Sequence, residues 1–368
     1  MSTPGKLLVM AGGTGGHIYP ALAVADVMRA KGWQVDWVGT EHGLEGTVVP
    51  ANAFPLHSLS VRGLRGKGLG FRIAALVRLL VSLLEALRLV RQLQPNVVLG
   101  MGGYVAAPAG IAAALLRKPL VIHEQNAVAG TTNRWLAPLA CTVLCGLPGA
   151  FKPSLRAQVV GNAVRADIAT SDPQAPTIPD GFSAERPLRL LVLGGSLGSM
   201  PLNLGVPSAL SRCSNTQWSL LRVHHQCGIA NADAAEQAYA PLVGLNVEIS
   251  AFIDDMAAAY RWADLVICRA GALTLAELAV TGTPSILVPL PHAIDDHQTR
   301  NAETLSRVGA ARLLPQAQMT AENLGELITH YLAFPEQLRQ MVVKAREAAQ
   351  PHATDAVVQA LEEAAYAA

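Results

Sequence analysis

Charged residues are scarce in this sequence: Lys, Arg, Asp and Glu make up 15% of the 368 residues, whereas hydrophobic residues make up 51%. This composition is typical of buried parallel sheets or of contact with a membrane. The five cysteines are odd in number and form no C-x-x-C pair, so we expect buried thiols in a reducing compartment. Asp-x-Asp is also absent, which excludes the carboxylate pair with which many metal-dependent transferases chelate a diphosphate.

Long apolar runs suited to a membrane span or a secretion signal are absent as well. The charge-free apolar stretch at residues 97–116 is interrupted by four glycines and Pro108. A buried strand, a glycine-rich turn and a helix explain it better than a transmembrane helix. No apolar signal core precedes the glycine-rich loop that begins at residue 12, and we therefore expect a cytoplasmic protein.

The most informative segment is residues 10–17, Met-Ala-Gly-Gly-Thr-Gly-Gly-His, which directly follows a strand candidate at 7–10. Glycines let backbone N–H groups approach a ligand closely, and the helix predicted over 20–30 directs its positive dipole end at the loop. The loop matches neither G-x-G-x-x-G nor G-x-x-x-x-G-K-[ST], which argues against dinucleotide and P-loop sites. We expect an anion site with His17 placed for proton transfer, although a tight turn without a ligand explains such glycines equally well.

The two halves of the sequence open in the same way. Residues 7–16 and 190–199 each run from an apolar strand into a glycine turn, and a Pro-, Asp- and Ser-rich stretch at 169–187 separates the halves. We place the interdomain boundary near 161–165. The predicted fold class is α/β, with two Rossmann-like, doubly wound parallel-sheet domains facing across a cleft.

Strand candidates alternate with helical segments in both halves. They are residues 7–10, 34–39, 97–101, 119–123, 142–145 and 157–160 in the first half, and 188–193, 218–224, 247–249, 265–267 and 285–288 in the second. Helices follow from residue 335, and we expect the last of them to brace the first domain.

Polar clusters follow several of these strands, where open parallel sheets bind ligands. They are residues 123–126, 194–198, 269–277 and 292–298. In the third cluster a helix is predicted to begin near Ala272, so that Thr274 and nearby N–H groups bind a phosphate and Glu277 accepts two ribose hydroxyls. This predicts a nucleotide site. An N-cap threonine followed by a solvated glutamate is the structural alternative.

Residues 194–198 also match G-x-S-x-G, the nucleophile elbow of α/β-hydrolases. Ser196 would be the nucleophile, and Asp295 and His297 follow in the chain order of a triad. A serine hydrolase is therefore an alternative from a different class. It leaves the first glycine loop and His17 unexplained.

No metal site is predicted. The histidine pairs 224/225 and 292/297 lack the i, i+4 spacing that places two imidazoles on one helix face. The adjacent aspartates 254/255 and 295/296 are typical of helix caps.

A net charge of +1 hides a local excess of positive charge. Between residues 61 and 92 one acid, Glu85, faces seven basic residues: Arg62, Arg65, Lys67, Arg72, Arg78, Arg88 and Arg91. Residues 71–92 have a helical period, with a polar stripe at positions 78, 82, 85, 88 and 92 and a wide apolar remainder. This combination favours docking on an anionic membrane surface, with a helix buried on two sides as the alternative. Nucleic acid is not expected as a partner, because the chain as a whole is not basic.

Nine motifs stand in order along essentially the whole chain: GGTGGHIYPALAVA (12–25), GLRGKG (63–68), VLGMGGYVAAP (98–108), HEQNAVAGTTN (123–133), VGNAVR (160–165), GGSLG (194–198), FIDDMAAAY (252–260), CRAGALTLAE (268–277) and PHAIDDHQTRNA (291–302). They resemble the motifs of the MurG-type peptidoglycan N-acetylglucosaminyltransferases of glycosyltransferase family 28. The resemblance implies a GT-B fold in which residues 1–164 bind the lipid acceptor and the membrane, 165–349 bind UDP-GlcNAc, and a helix at about 350–368 packs back on the first domain.

The resemblance also implies an activity. Such enzymes transfer GlcNAc, with inversion, from UDP-GlcNAc to the 4-hydroxyl of MurNAc in lipid I and form lipid II. They are peripheral proteins of the inner face of the cytoplasmic membrane, need no metal or other cofactor, and belong with the cell-wall and division proteins.

The site residues carried over by the resemblance begin with His17, the candidate general base or a group close to the reacting oxygen. For the nucleotide of UDP-GlcNAc, the resemblance implies that Ile253 contacts the uracil, Glu277 the ribose, and Arg165 lies near the nucleotide. The diphosphate is contacted by Ser196, Leu273 and Thr274, with Leu275 and Ala276 beside them, and the GlcNAc by Asn126, Ala272 and Gln298. Thr14, Gly15 and Gly16 lie between the donor and the lipid I pyrophosphate.

Some positions depart from the family pattern. Leu197 stands where glutamine is common, Ala163 where proline is usual and Ala270 where serine is frequent. The change at Leu197 removes one possible contact to the diphosphate or the acceptor. A glycolipid synthase that uses another UDP-sugar and a diacylglycerol acceptor is the alternative within the fold.

Overall fold

The computed structural model describes residues 5–61, 69–169, 177–195 and 197–367, without the side chains of 69–77 and Ile294. The chain divides into two compact units. Unit 1 comprises Met1–Arg165 and Pro351–Ala368, and unit 2 comprises Ala166–Gln350.

Unit 1 is built on a seven-stranded parallel sheet in the order β3-β2-β1-β4-β5-β6-β7. The strands are β1 Lys6–Ala11, β2 Gln34–Gly39, β3 Leu56–Ser58, β4 Val97–Gly102, β5 Leu120–Glu124, β6 Thr142–Cys145 and β7 Gln158–Val159. The helices are α1 Gly15–Ala30, α2 Leu44–Ala51, α3 Leu69–Leu93, α4 Ala106–Leu115 and α5 Thr131–Leu136, to which the chain adds its last helix, α15 Ala353–Tyr366.

Unit 2 is built on a six-stranded parallel sheet in the order β10-β9-β8-β11-β12-β13. The strands are β8 Leu188–Leu193, β9 Leu221–Gln226, β10 Asn246–Ser250, β11 Leu265–Cys268, β12 Ser285–Leu287 and β13 Ala311–Leu313. The helices are α6 Ala166–Ala169, α7 Met200–Leu210, α8 Asn215–Trp218, α9 Ala232–Tyr239, α10 Met256–Trp262, α11 Ala272–Thr281, α12 His297–Ser306, α13 Ala321–Ala333 and α14 Pro335–Ala348.

The two sheets share one topology, which confirms the predicted fold class of two doubly wound α/β domains. In each sheet the strand order reverses beside the first strand of the unit, between β1 and β4 and between β8 and β11. Ligands of such sheets bind beyond the carboxyl ends of the strands at this switch point. Both glycine turns follow the first strand of their unit and therefore lie there.

Alternating residues of β1 explain how unit 1 forms two cores. Leu7 and Val9 pack on one face with α1 and with Val357, Val358 and Leu361 of α15. Leu8 and Met10 pack on the other face with α3 and α4. Because both faces of the sheet are covered, its central strands are apolar almost throughout.

The strand predictions agree with the structure in most places. Every predicted strand has a counterpart, and β2, β6 and β8 have the predicted bounds. Trp218 was predicted to begin a strand, but it ends α8, whose N-cap Ser214 forms a capping box with Gln217. The first helix begins at Gly15, five residues before its predicted start at Pro20, so Pro20 lies inside the helix in its second turn. The short strands β3 and β13 were not predicted.

No helix within the described ranges is long and apolar enough to span a bilayer.

A buried histidine joins three elements in the core of unit 2. His225 of β9 accepts a hydrogen bond from the hydroxyl of Tyr239 at 2.9 Å through Nδ1 and donates to Asn203 Oδ1 at 3.1 Å through Nε2. Burial, with a smaller contribution from the neighbouring His224, lowers the pKa of His225 to about 4. The imidazole is therefore neutral in the folded protein near pH 7.

Acidification is expected to destabilise unit 2 through His225. The folded-state pKa lies below the unfolded value of about 6.5, so the unfolded chain binds the extra proton, and stability present above pH 6.5 is lost as the pH falls toward 4. Between pH 7.5 and 5.0 the loss attributable to this residue is about 2 kcal/mol. Urea unfolding of wild type and His225→Gln at both pH values measures it, and an equal loss in the two proteins contradicts the assignment.

Candidate functional site

The first glycine loop lies at the carboxyl end of β1 and leads directly into α1. Gly13 has φ +87°, a conformation that favours glycine. The N-cap residue Thr14 makes no side-chain cap to the helix. As a result, the N–H groups of Thr14, Gly15 and Gly16 have no hydrogen-bond partner among the described residues. Three unbonded donors at the positive end of a 16-residue helix form an arrangement that binds anions.

His17 stands in the first turn of α1 with its ring turned back to the loop. Nδ1 lies 3.1 Å from the carbonyl oxygen of Gly12 and 3.2 Å from Thr14 Oγ1. The carbonyl can only accept, so the hydrogen bond to Gly12 requires the proton on Nδ1 and leaves Nε2 as the basic nitrogen. A Cβ at Gly102 would lie 3.0 Å from Nε2, so glycine at this position gives the ring its space.

A second loop of unit 1, residues 125–130, is held by the buried carboxylate of Glu124 at the end of β5. Its Oε1 accepts from the backbone and side-chain nitrogens of Asn126, each at 3.0 Å. Its Oε2 accepts from the Gly130 N–H at 3.0 Å and from Asn133 Nδ2 at 2.9 Å. These four bonds fix the orientation of Asn126, a predicted sugar ligand.

The neighbouring His123 has a structural position. Its Nε2 donates to the Gly161 carbonyl at 2.9 Å, its ring is fully buried, and burial lowers its pKa. It links β5 to the segment that contains Asn162 and half-buried Arg165, the last residue before unit 2.

In unit 2 the predicted phosphate site coincides with the N-terminus of α11. The N-cap residue is Gly271 rather than Thr274, and the N–H groups of Leu273 and Thr274 have no partner among the described residues. The side chains of Ala272 and Leu275 are buried, and the Leu275 N–H donates to the Gly271 carbonyl at 3.0 Å. Thr274 and Ala276 are half-buried.

Glu277 lies one turn further along α11, where Tyr260 orients it. The buried Tyr260 hydroxyl donates to Glu277 Oε2 at 2.9 Å. This bond fixes one oxygen of the Glu277 carboxylate. Ile253 follows β10 at the same edge of the sheet and is half-buried.

The second glycine turn follows β8. Gly195 and Gly198 have φ +82° and +74°, and the Gly198 N–H donates to the Gly195 carbonyl at 2.8 Å. Gln226 at the end of β9 donates to the Gly195 and Ala251 carbonyls, both at 3.0 Å, and so joins this turn to the end of β10. Leu197 is 87% exposed. Ser196, the predicted diphosphate ligand and hydrolase nucleophile, lies outside the described residues.

Arg269 connects four segments at this edge of unit 2. Its guanidinium donates to Ser199 Oγ at 3.1 Å, to the Val288 and Pro289 carbonyls at 3.2 Å each, and to Gln316 Oε1 at 2.7 Å. Nearby, Gln298 Oε1 accepts from the Leu290 N–H at 3.0 Å, which leaves its amide nitrogen to donate to a ligand.

Sequence reasoning assigned no role to Arg269, Tyr260, Glu124 or the buried Glu45. The first three lie inside motifs that were recognised. Glu124 ends β5 and Arg269 directly follows β11, and this position at the carboxyl end of a strand is the signal that could have identified these two. Glu45 is a single acid in the otherwise uncharged helix α2, and the sequence offers no comparable signal for it.

The predicted membrane residues are described only in part. Arg62, Arg65 and Lys67 lie outside the described residues, and Arg72 is described without its side chain. Arg78 is exposed. The predicted polar stripe of this helix is wrong at Ser82, which is buried and donates to the Leu79 carbonyl, while Leu80 and Leu84 are 53% and 56% exposed. Ser82, Ala86 and Val90 share the inner face because they are spaced four residues apart.

In the part of the chain that is described, no three His, Cys, Asp or Glu side chains are grouped so that they could hold a metal ion.

The matches to known proteins cover nearly the whole chain. Residues 7–145 match the glycosyltransferase family 28 N-terminal domain, and residues 189–358 match the C-terminal domain of the same family. A relative from Stutzerimonas stutzeri is 52% identical over 96% of this chain and 97% of its own length. A relative from Tolumonas auensis is 49% identical over the same shares. Both are named UDP-N-acetylglucosamine–N-acetylmuramyl-(pentapeptide) pyrophosphoryl-undecaprenol N-acetylglucosamine transferase.

The comparison with solved structures agrees with these sequence matches. The crystal structure of Acinetobacter baumannii MurG is 40% identical, has a TM-score of 0.80, and the match covers 98% of this chain and all of that one. A UDP-GlcNAc 2-epimerase from Neisseria meningitidis has a TM-score of 0.65 at 12% identity, a likeness that concerns the fold alone.

Replacing Arg269 with methionine is expected to loosen the edge of unit 2, because four acceptors lose a shared charged donor. We expect faster amide hydrogen exchange in residues 197–203, 288–290 and 316–318, and a stability loss of about 1–3 kcal/mol. Arg222→Met on the exposed side of β9 is the matched control. Exchange that stays unchanged in those three segments, or rises equally in the control, contradicts the linking role.

Proposed function

The chain belongs to glycosyltransferase family 28, and from that premise we propose that it transfers GlcNAc from UDP-GlcNAc to the 4-hydroxyl of MurNAc in lipid I and so forms lipid II for peptidoglycan. It is a UDP-GlcNAc-dependent N-acetylglucosaminyltransferase. The observation that carries this conclusion is the identity of about 50% over 96% of the chain to relatives that bear the name of this transferase. The same observation favours it over the glycolipid synthase and the serine hydrolase.

We assign the acceptor to residues 1–164 and the donor to 165–349, with the helix at about 350–368 supporting the first of these domains. The unbonded N–H groups of Thr14, Gly15 and Gly16 support this assignment, since they suit the pyrophosphate of lipid I. Those of Leu273 and Thr274 suit the diphosphate of UDP-GlcNAc, and Ser196 is assigned to the same diphosphate.

We assign the remaining contacts to UDP-GlcNAc to residues of unit 2 and of the loop at residues 125–130. Glu277, oriented by Tyr260, accepts from the ribose hydroxyls, and the Ile253 backbone meets the uracil. We assign Asn126, Ala272 and Gln298 to the GlcNAc hydroxyls, Arg165 to the nucleotide, and Leu275 and Ala276 to the backbone turn that receives the diphosphate.

In the proposed mechanism His17 Nε2 takes the proton of the 4-hydroxyl as that oxygen attacks the anomeric carbon of GlcNAc. The bond from the anomeric carbon to the diphosphate oxygen breaks on the opposite face, so the configuration inverts. The leaving UDP gains negative charge, which the N-terminus of α11 stabilises through backbone donors. UDP-GlcNAc is a substrate, and this mechanism assigns no step to a metal or other cofactor.

Removal of the base is expected to abolish most of the transfer. With EDTA present, His17→Ala should lower kcat for transfer of labelled GlcNAc to a lipid I analogue by about a hundredfold or more. The exposed His42 of the same unit provides the control His42→Ala, which should keep wild-type activity. Wild type that folds but transfers nothing contradicts the function, whereas an active His17→Ala contradicts only the role of the base.

We further propose that unit 1 docks on the anionic inner leaflet of the cytoplasmic membrane as a peripheral protein, where its substrate resides. Helices α3, α4 and α5 pack in series, and each contributes exposed apolar or basic side chains. Leu80 and Leu84 are exposed on α3, and Trp135 on α5 is 67% exposed. Among the side chains of these helices that the structure describes, the exposed cations are Arg78, Arg88, Arg91 and Arg134. Apolar side chains ringed by cations bind an anionic surface without crossing it.

Making the outer face of α3 polar is expected to weaken membrane binding. The double variant Leu80→Gln, Leu84→Gln should lower partitioning onto vesicles of phosphatidylglycerol and phosphatidylethanolamine by about tenfold or more, since each leucine contributes roughly 1.5–3 kcal/mol when buried. Val243→Gln removes a comparably exposed side chain from unit 2 and should bind like wild type. Equal sedimentation of all three proteins would contradict docking through this face.

A further inference from the structure

Glu45 is a fully buried carboxylate at the start of α2 that is bonded to the loop preceding His17. Its Oε2 accepts from the Gly13 N–H at 3.0 Å. Its Oε1 accepts from the Thr40 N–H at 3.1 Å and from the Thr40 hydroxyl at 2.7 Å. It forms no ion pair with any described residue. A buried charge without a cation is costly unless hydrogen bonds satisfy it, and here three donors do so.

Three glycines from three segments provide the space for this carboxylate. A Cβ at Gly12, at the end of β1, would lie 2.8 Å from Glu45 Oε1. A Cβ at Gly39, at the end of β2, would lie 2.6 Å from Glu45 Cγ, and one at Gly43 would overlap Oε2. The side chain is therefore enclosed by backbone, and its position relative to the loop is fixed.

The Gly13 N–H and the Gly12 carbonyl belong to the same peptide group, and each of its two polar atoms is bonded. Glu45 accepts from the N–H, while the carbonyl accepts from His17 Nδ1 at 3.1 Å. The peptide plane is thus held between a carboxylate and the imidazole. Hydrogen bonds in series polarise one another, so a negative charge on the N–H side makes the carbonyl a stronger acceptor for the Nδ1 proton.

We propose that Glu45 is a positioning residue for His17, acting through the Gly12–Gly13 peptide. The carboxylate fixes the peptide plane, and the peptide carbonyl fixes the imidazole ring and keeps the proton on Nδ1, so that Nε2 faces the acceptor as the base. The arrangement follows the logic of nucleophile–base–orienter triads, with a peptide group inserted between the base and the carboxylate. It rests on the proposed function of His17.

The test is a double-mutant cycle between Glu45 and His17 in the lipid I transfer assay. Glu45→Gln presents an NH2 group or a weaker acceptor to the Gly13 N–H, and kcat should fall about tenfold while KM for UDP-GlcNAc changes less than about twofold. In the His17→Ala background the same substitution should change kcat less than about twofold, because the residue through which it acts is gone. Glu41→Gln removes an exposed acid of the same segment and should leave kcat unchanged in both backgrounds.

The outcomes separate the two levels of the proposal. A tenfold loss that recurs in the His17→Ala background, or no loss in either, overturns the positioning role while the transferase function stands. Wild type without transfer overturns the function itself. Thermal melting of each variant reports folding. If Glu45→Gln does not fold, Thr40→Val, which removes one donor to Oε1, takes its place with an expected two- to threefold loss of kcat that must also vanish without His17.

Discussion

A helix cannot bond the N–H groups of its own first turn, and both units of this protein depend on that constraint. At α1 the N-cap side chain makes no cap, and at α11 the N-cap residue is a glycine that has no side chain to offer. Each helix therefore keeps backbone donors available at the switch point of its sheet. In the function proposed above, a diphosphate or pyrophosphate would accept from these donors and so complete the hydrogen bonding of both helix ends.

The two units support their loops with side chains of opposite hydrogen-bonding character: acceptors in unit 1 and donors in unit 2. In unit 1 the carboxylates of Glu45 and Glu124 accept from backbone N–H groups of the loops. In unit 2 Arg269 and the amide of Gln226 donate to backbone carbonyls. A carboxylate accepts hydrogen bonds from backbone N–H groups, which are then unavailable to a ligand. A guanidinium donates to backbone carbonyls instead, and the N–H groups of its loops stay available to a ligand. The same topology can thus hold its loops rigid with either kind of group.

The sequence predicted the sheet strands and the two glycine turns because both depend on local patterns. Apolar runs bounded by glycine and proline identify strands such as β2 and β8 without any knowledge of their neighbours. Strands β3 and β13 were not predicted because their sequences, Leu-His-Ser and Ala-Arg-Leu, contain polar residues and form no apolar run, whereas the equally short β12 has the sequence Ser-Ile-Leu and continues into buried Val288. The supporting side chains escaped for a different reason: Glu45 acts on Gly13 across 32 residues, and Arg269 acts on Gln316 across 47. Only the folded sheet brings such partners together.

The position of α15 has a consequence for how the chain is made. Val357, Val358 and Leu361 belong to the core of unit 1, and Tyr366 packs edge-to-face on Trp33 with ring centroids 6.3 Å apart. During synthesis the ribosome releases residues 5–165 long before these side chains exist. Unit 2, by contrast, is complete once residue 350 has emerged. The second unit can therefore complete its core first, while the first keeps the part of its sheet face that α15 covers exposed until translation delivers that helix.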